Sequence, residues 1–251
     1  MVAGEAPPAG CGSRPRKRRT GPPPPAPEAP PERARRRASA APPPPPPPPP
    51  PARLERLALG AGAEVALRRG TLPAPEAAAL LARLLAEVPW SQLAVRVCGR
   101  LALQPRLSAY QADTPRLAYR YSGAALAPAA WHPAVAALRA RVEEETGARF
   151  NSCLLNRYRD GRDCVGWHSD DERCYGAAPV IASLSLGAVR DFALRPRGGG
   201  DGAGARRVVA LGAGDLLVMR GETQARWAHS VPRRARCAGE RVSLTFRLVL
   251  E

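Results

Sequence analysis

The chain has 251 residues, a formal net charge of +16 at pH 7, 30 prolines, 23 glycines and 6 cysteines. It holds no run of about 18 apolar residues, which excludes a membrane-spanning helix, and no apolar stretch follows the N-terminal charges as a secretory leader requires. The cysteines form no Cys-x-x-Cys pair, which argues against a zinc ribbon or a dithiol redox centre and fits reduced thiols in the nucleus or cytoplasm.

Most of the prolines stand in residues 1–51, in clusters such as Pro22–Pro25 and the unbroken run Pro42–Pro51. That composition favours extended polyproline II and supplies too little apolar surface to close a core. A disordered Pro/Arg-rich tail is therefore predicted over residues 1–69. Its clusters Arg16–Arg19 and Arg35–Arg37 read either as a nuclear import signal and loose phosphate-binding arm or as solvated linker. The rest of the chain is basic in its own right, almost wholly through arginine, Lys17 being the only lysine.

From Pro75 the sequence reads as a helix, with Glu76 near its positive end, Leu80, Leu81, Leu84, Leu85 and Val88 at helical spacing, and Pro89 closing it. A second helix is predicted from Pro133 to Thr146, with Val135, Leu138 and Val142 on one face and Gly147 as its left-handed cap. Short strand-like pieces lie between, so residues 70–150 read as N-terminal helices and small strands. Beyond Phe150 the texture changes to strands over Cys153–Arg159, Val180–Leu186, Asp191–Arg195, Arg207–Leu211, Asp215–Arg220 and Arg241–Leu250. Residues 151–251 therefore read as a mostly antiparallel sandwich or barrel. The glycine-rich stretch Arg197–Arg206 is expected to be a mobile loop.

Only 3 histidines exist. His168 stands two residues before Asp170, and His229 follows further along the chain. Two His and one Asp are the ligand inventory of a facial triad, which leaves open positions on an octahedral ion and suits non-haem Fe(II) that must bind a cosubstrate and then O2. His132 reads as a helix-entry residue, and Cys164 and Cys174 as loop residues without a catalytic role.

In the last strand Arg241, Ser243, Thr245 and Arg247 alternate with Val242, Leu244, Phe246 and Leu248. Facing solvent, this is an ordinary amphipathic strand. Facing inward, two buried guanidinium groups require anions, and a dicarboxylate such as 2-oxoglutarate supplies them while its keto-acid end reaches iron. Asn156 and Tyr158 also share one strand face and offer an amide and a phenol to the same ligand.

The segments Asn156-Arg157-Tyr158, His168-Ser169-Asp170-Asp171-Glu172, His229 and Arg241 to Arg247, in this order and spacing, resemble the AlkB family of nucleic-acid demethylases. The resemblance covers roughly residues 70–250. The pieces Val88-Pro89-Trp90, Gln104 to Leu107 and Phe150-Asn151-Ser152 look most like the animal homologue that prefers single strands. The resemblance implies an α+β, mainly β fold, a double-stranded β-helix or jelly roll, preceded by N-terminal helices and a nucleotide-recognition lid in residues 70–150. It further implies that His168, Asp170 and His229 hold Fe(II), and that Asn156, Tyr158, Arg241 and Arg247 hold 2-oxoglutarate. By the same carry-over, Trp90 and Tyr110 contact the damaged base and Asp171 recognises its exocyclic nitrogen, although Trp90 reads equally well as a core plug.

The implied reaction removes a methyl group oxidatively from 1-methyladenine or 3-methylcytosine in single-stranded DNA or RNA, with a monomer as the acting species. An RNA demethylase and a weakly catalytic nucleic-acid-binding module stand as the alternatives. Two departures from the family pattern bear on this. Ser243 replaces the usual Asn beside the cosubstrate, and Gln111 replaces an expected aromatic ring of the base pocket.

Overall fold

The computed structural model describes Gly21 and residues 54–250, apart from 61, 98, 122–123 and 199–205. The proline run, both basic clusters of the tail, Cys11, Cys98 and most of the glycine-rich stretch 197–206 lie outside the described residues.

The chain enters through a hairpin, β1 (Leu54–Ala58) and β2 (Ala63–Arg68), in a stretch expected to be tail. The correction has a local cause. Ala63, Val65 and Leu67 are buried and alternate with Glu64, Ala66 and Arg68, so a strand pattern of period two follows directly behind the prolines that dominated the composition. Helix α1 (Ala74–Glu87) starts behind Pro73 and stops where Val88, extended before Pro89, cannot continue it.

The strands β3 (Ala94–Val97), β4 (Arg100–Leu103), β5 (Leu107–Ala112), β6 (Tyr119–Tyr121) and β7 (Ala124–Leu126) follow. Helix α2 (Pro133–Thr146) has the predicted bounds, and its cap Gly147 takes φ 64°. His132 is indeed a helix-entry residue, its Nδ1 accepting the Ala134 amide at 3.2 Å.

The remaining elements are β8 (Ser152–Tyr158), β9 (Val165–His168), β10 (Ile181–Gly187), β11 (Arg190–Pro196), β12 (Arg207–Leu211), β13 (Leu216–Gly221), α3 (Thr223–Arg226), β14 (Trp227–Val231) and β15 (Arg241–Arg247). They build two antiparallel sheets of a mainly β, α+β jelly roll. The major sheet runs β1-β2-β13-β10-β15-β8-β5 and the minor sheet β12-β11-β14-β9. Strand β5 thus belongs to the major sheet, paired with β8, rather than to a separate lid. The small hairpins β3–β4 and β6–β7 stand outside both sheets.

The two faces of the major sheet contribute to two separate cores. Leu155, Leu184, Leu186, Leu216, Val242, Leu244 and Phe246 join Leu84 of α1 and Val135 and Leu138 of α2 in one core. On the opposite face Val65, Leu67, Ile181, Leu217 and Met219 meet Phe192, Leu194, Leu211 and Val231 of the minor sheet in a second core. Burying such a side chain is worth about 1.5–3 kcal/mol. No described helix is long and apolar enough to cross a membrane.

Candidate metal and cosubstrate site

The second core does not fill the space between the sheets. Toward its middle, the inner faces of β8 and β15 turn polar and line one cavity together with His168 and His229. The packing of β15 explains this. Val242, Leu244 and Phe246 are wholly buried against the helices, so the period of two sends Arg241, Ser243, Thr245 and Arg247 into the cavity. The inward reading of that alternation is the one the fold adopts.

Strand β9 reaches the site by an irregular route. His168 lies opposite His229 and Val165 opposite Val231, so three steps along β9 match two along β14. The extra residue is a bulge, and it turns His168 to the same side as Val165. One ligand atom each from His168, Asp170 and His229 lies within 4.8 Å of the other two. The imidazole centroids are 4.2 Å apart, and Phe192 stacks on His229 at 5.2 Å.

The protonation states suit a cation. His168 Nδ1 lies 2.9 Å from the Gly166 carbonyl, which can only accept, so Nδ1 carries the proton and Nε2 offers its lone pair. Burial pushes the pKa of His168 below its ordinary value. Burial and the neighbouring His168 push that of His229 down to about 3. Burial alone would raise the Asp170 carboxyl, but the Arg247 guanidinium beside it holds it at about 2. The backbone N–H of Asp170 donates to Gln224 Oε1 at 2.9 Å, which fixes the loop that carries it. Two neutral imidazoles and a carboxylate, gathered at a cavity wall, fit a facial triad for Fe(II).

The two arginines of β15 both line the cavity but differ in their partners. Arg247 donates from Nε and Nη2 to Asp170 Oδ2 at 3.2 and 2.8 Å. Arg241 has no such partner. It is 1% exposed, donates from Nη2 to Ser185 Oγ at 2.9 Å, and its Nε and Nη1 find no acceptor among the described residues. A buried guanidinium left in this state calls for an anion, so a dicarboxylate fits this end of the cavity. Tyr158 lies beneath it, with Arg241 Cζ 5.2 Å from the ring centroid. Asn156 Oδ1 accepts from Arg106 Nε at 3.0 Å and Ser108 Oγ at 2.8 Å, which fixes the amide and leaves its N–H donors for the cavity.

The three residues expected to contact the base have their own surroundings. Trp90 packs on the helix-side core, its indole N–H donating to the Leu84 carbonyl at 3.2 Å. Tyr110 is buried in a satellite cluster with Ala112, Leu117 and Leu154. Asp171 is paired with Arg197, both partly exposed, and Arg197 also donates to the Gln224 carbonyl. None of the three lines the triad cavity. Cys164 and Cys174 lie outside the triad. Sequence reasoning missed Arg106, Ser108, Ser185 and Gln224. Arg106 and Ser108, two apart at the head of β5, carried the same period-two signal as Asn156 and Tyr158, whereas Gln224 gave none.

Residues 64–247 match the profile of the 2OG-Fe(II) oxygenase superfamily. The chain is 39% identical over 214 residues to the DNA oxidative demethylase ALKBH2 of Arabidopsis thaliana, covering 76% of this chain and 68% of that protein. It is 43% identical over 191 residues to the human alpha-ketoglutarate-dependent dioxygenase alkB homolog 3, covering 74% and 66% respectively. The chain thus spans about two thirds of the length of these relatives. The solved structure of OsALKBH1 shares the fold, with a TM-score of 0.50 and 18% identity over 78% of this chain and all of that one. With triad, cavity and matched sequence in agreement, the chain belongs to the AlkB family of Fe(II)- and 2-oxoglutarate-dependent dioxygenases.

Proposed function

We propose that this protein removes alkyl groups oxidatively from N-alkylated bases, 1-methyladenine and 3-methylcytosine, in single-stranded DNA and RNA. The observation that carries the reading is the sequence shared with alkB homolog 3 and with a DNA oxidative demethylase across the segment that holds the triad. When bound, iron with 2-oxoglutarate and O2 supplies the oxidation that turns the N-methyl group into a hydroxymethyl group, which departs as formaldehyde beside succinate and CO2.

The chain's own residues hold and shield that chemistry. Gly166 keeps the proton on His168 Nδ1, and Arg247 holds the Asp170 carboxylate in place. Arg241, Ser185 and Tyr158 grip the far carboxylate of the cosubstrate, and the Asn156 amide steadies its other end. Phe192 lies over His229 and keeps water from that flank. A base must leave any stack to reach such a cavity, which favours single strands. A basic chain with few aromatic rings binds them chiefly through phosphates, so affinity falls steeply with salt. In this reading the protein acts as a monomer, and the basic clusters of residues 1–51 direct it to the nucleus.

The test is mass spectrometry of single-stranded DNA and RNA oligonucleotides carrying either lesion, after incubation with protein, Fe(II), 2-oxoglutarate, ascorbate and air. Loss of one methyl mass that requires 2-oxoglutarate and disappears in His168→Ala is the expected result. No loss, with metal and cosubstrate binding established, overturns the reading in favour of a non-catalytic nucleic-acid-binding module.

A further inference from the structure

Arg190 opens β11 and does not line the cavity, yet it is among the most deeply buried cations of the described chain, 1% exposed. Its Nη1 donates to the Asp160 carbonyl at 3.0 Å, and its Nη2 to the carbonyls of Asp163 and Pro232, each at 2.7 Å. Its Nε has no acceptor among the described residues. The carboxylates of that same loop are committed elsewhere, Asp163 to Arg159 and Asp160 to Arg162. Among the described residues, the hydrogen-bond partners of Arg190 are therefore carbonyl oxygens and no carboxylate.

Its position gives that charge a use. Arg190 Cζ lies 5.3 Å from the centroid of the Tyr158 ring, the ring that also carries Arg241 at 5.2 Å. Two buried guanidiniums thus share one phenol, and among the described residues no carboxylate is bonded to either. Arg190 is near enough to Arg241 to push the latter's pKa down, second only to the effect of burial among the lowering influences. A loop clamp alone would be served by a neutral donor. A second cation behind the first instead raises the positive potential where the cosubstrate's far end sits, in a medium that screens charge weakly.

We propose that Arg190 is a positioning residue of the cosubstrate site, seating Tyr158 and adding a second buried positive charge that makes this end of the cavity demand a carboxylate. The proposal rests on the reading that Arg241 marks the carboxylate end. It predicts selectivity, which a purely structural clamp would leave untouched.

The test compares two acids of equal length, 2-oxoglutarate and 2-oxopentanoate, which carries a methyl group in place of the far carboxylate. Each is titrated by calorimetry into the full chain loaded with Mn(II). The unaltered protein prefers 2-oxoglutarate. In Arg190→Gln the affinity for 2-oxoglutarate falls about tenfold, while that for 2-oxopentanoate stays within about twofold. Equal weakening of both acids, or no change in their ratio, overturns the proposal. If Arg190→Gln does not fold, Arg190→Lys decides. Its ammonium keeps the charge, so the preference stays within about threefold of the unaltered protein, and a preference that collapses with the charge in place overturns the proposal. If the unaltered protein itself does not distinguish the two acids, the assignment of the Arg241 end fails instead.

Discussion

Asp163 is buried beside Arg159, accepting its backbone amide at 2.9 Å and its Nε and Nη2 at 2.8 and 2.9 Å. Burial raises the carboxyl's pKa, but the Arg159 hydrogen bonds outweigh it and the net shift is downward. A carboxyl depressed on folding stabilises the protein above the ordinary aspartate range of about 4, and that contribution is lost as pH falls through the folded value. Asp163→Asn should therefore lower the thermal midpoint at pH 7 by several degrees and by much less at pH 3. An equal drop at both pH values in a melting series would remove the ion pair from the account. At this scale the sequence was most legible where a residue type is scarce. With 3 histidines, two of them framing an Asp, the triad was readable in advance. Arginine is so common that type alone could not separate Arg247, bound to Asp170, from Arg241, which has two donors to spare.

Strand β15 places stability and chemistry on opposite faces of one element, and adjacent residues should report them separately. Leu244 is wholly buried against the helices, so Leu244→Ala should cost about 2–5 kcal/mol in urea unfolding. Ser243, its neighbour, faces the cavity between Asn156 of β8 and Ser185 of β10. Ser243→Asn should restore an amide donor beside the cosubstrate and tighten 2-oxoglutarate binding severalfold, with the melting midpoint little moved. Weaker binding in that variant would mean that the serine fits the cavity better than the amide. The two metal-bearing strands were the least legible elements. The bulge in β9 breaks the alternation just before His168. All five residues of β14 are buried, so it shows no alternation at all. The helices, with their prolines and Gly147, were readable because their end signals are local.

For the whole molecule, the sandwich was visible in the density of strand patterns beyond Phe150, but its edge was not. Val65 and Leu67 belong to the core between the sheets, and β2 pairs with β13 over Ala63–Arg68. A chain that starts at residue 70 loses both and leaves the β13 edge unpaired. It should be insoluble or fail to show a cooperative melt, whereas a chain that starts at residue 52 should melt like the full protein. If both melted alike, the hairpin would be dispensable. Composition hid this boundary, because the prolines of residues 1–51 dominate any window that overlaps the hairpin.

The bond between Arg247 and Asp170 reaches beyond the site itself. The guanidinium already balances the only carboxylate of the triad, so an arriving dication meets two neutral imidazoles and a local charge near zero. Its hold then depends on ligand bonds more than on attraction from afar, and ions later in the Irving–Williams order compete on favourable terms. Zinc or copper in excess should therefore displace Fe(II) from the triad, an outcome that competition titration of the Fe(II)-loaded protein checks.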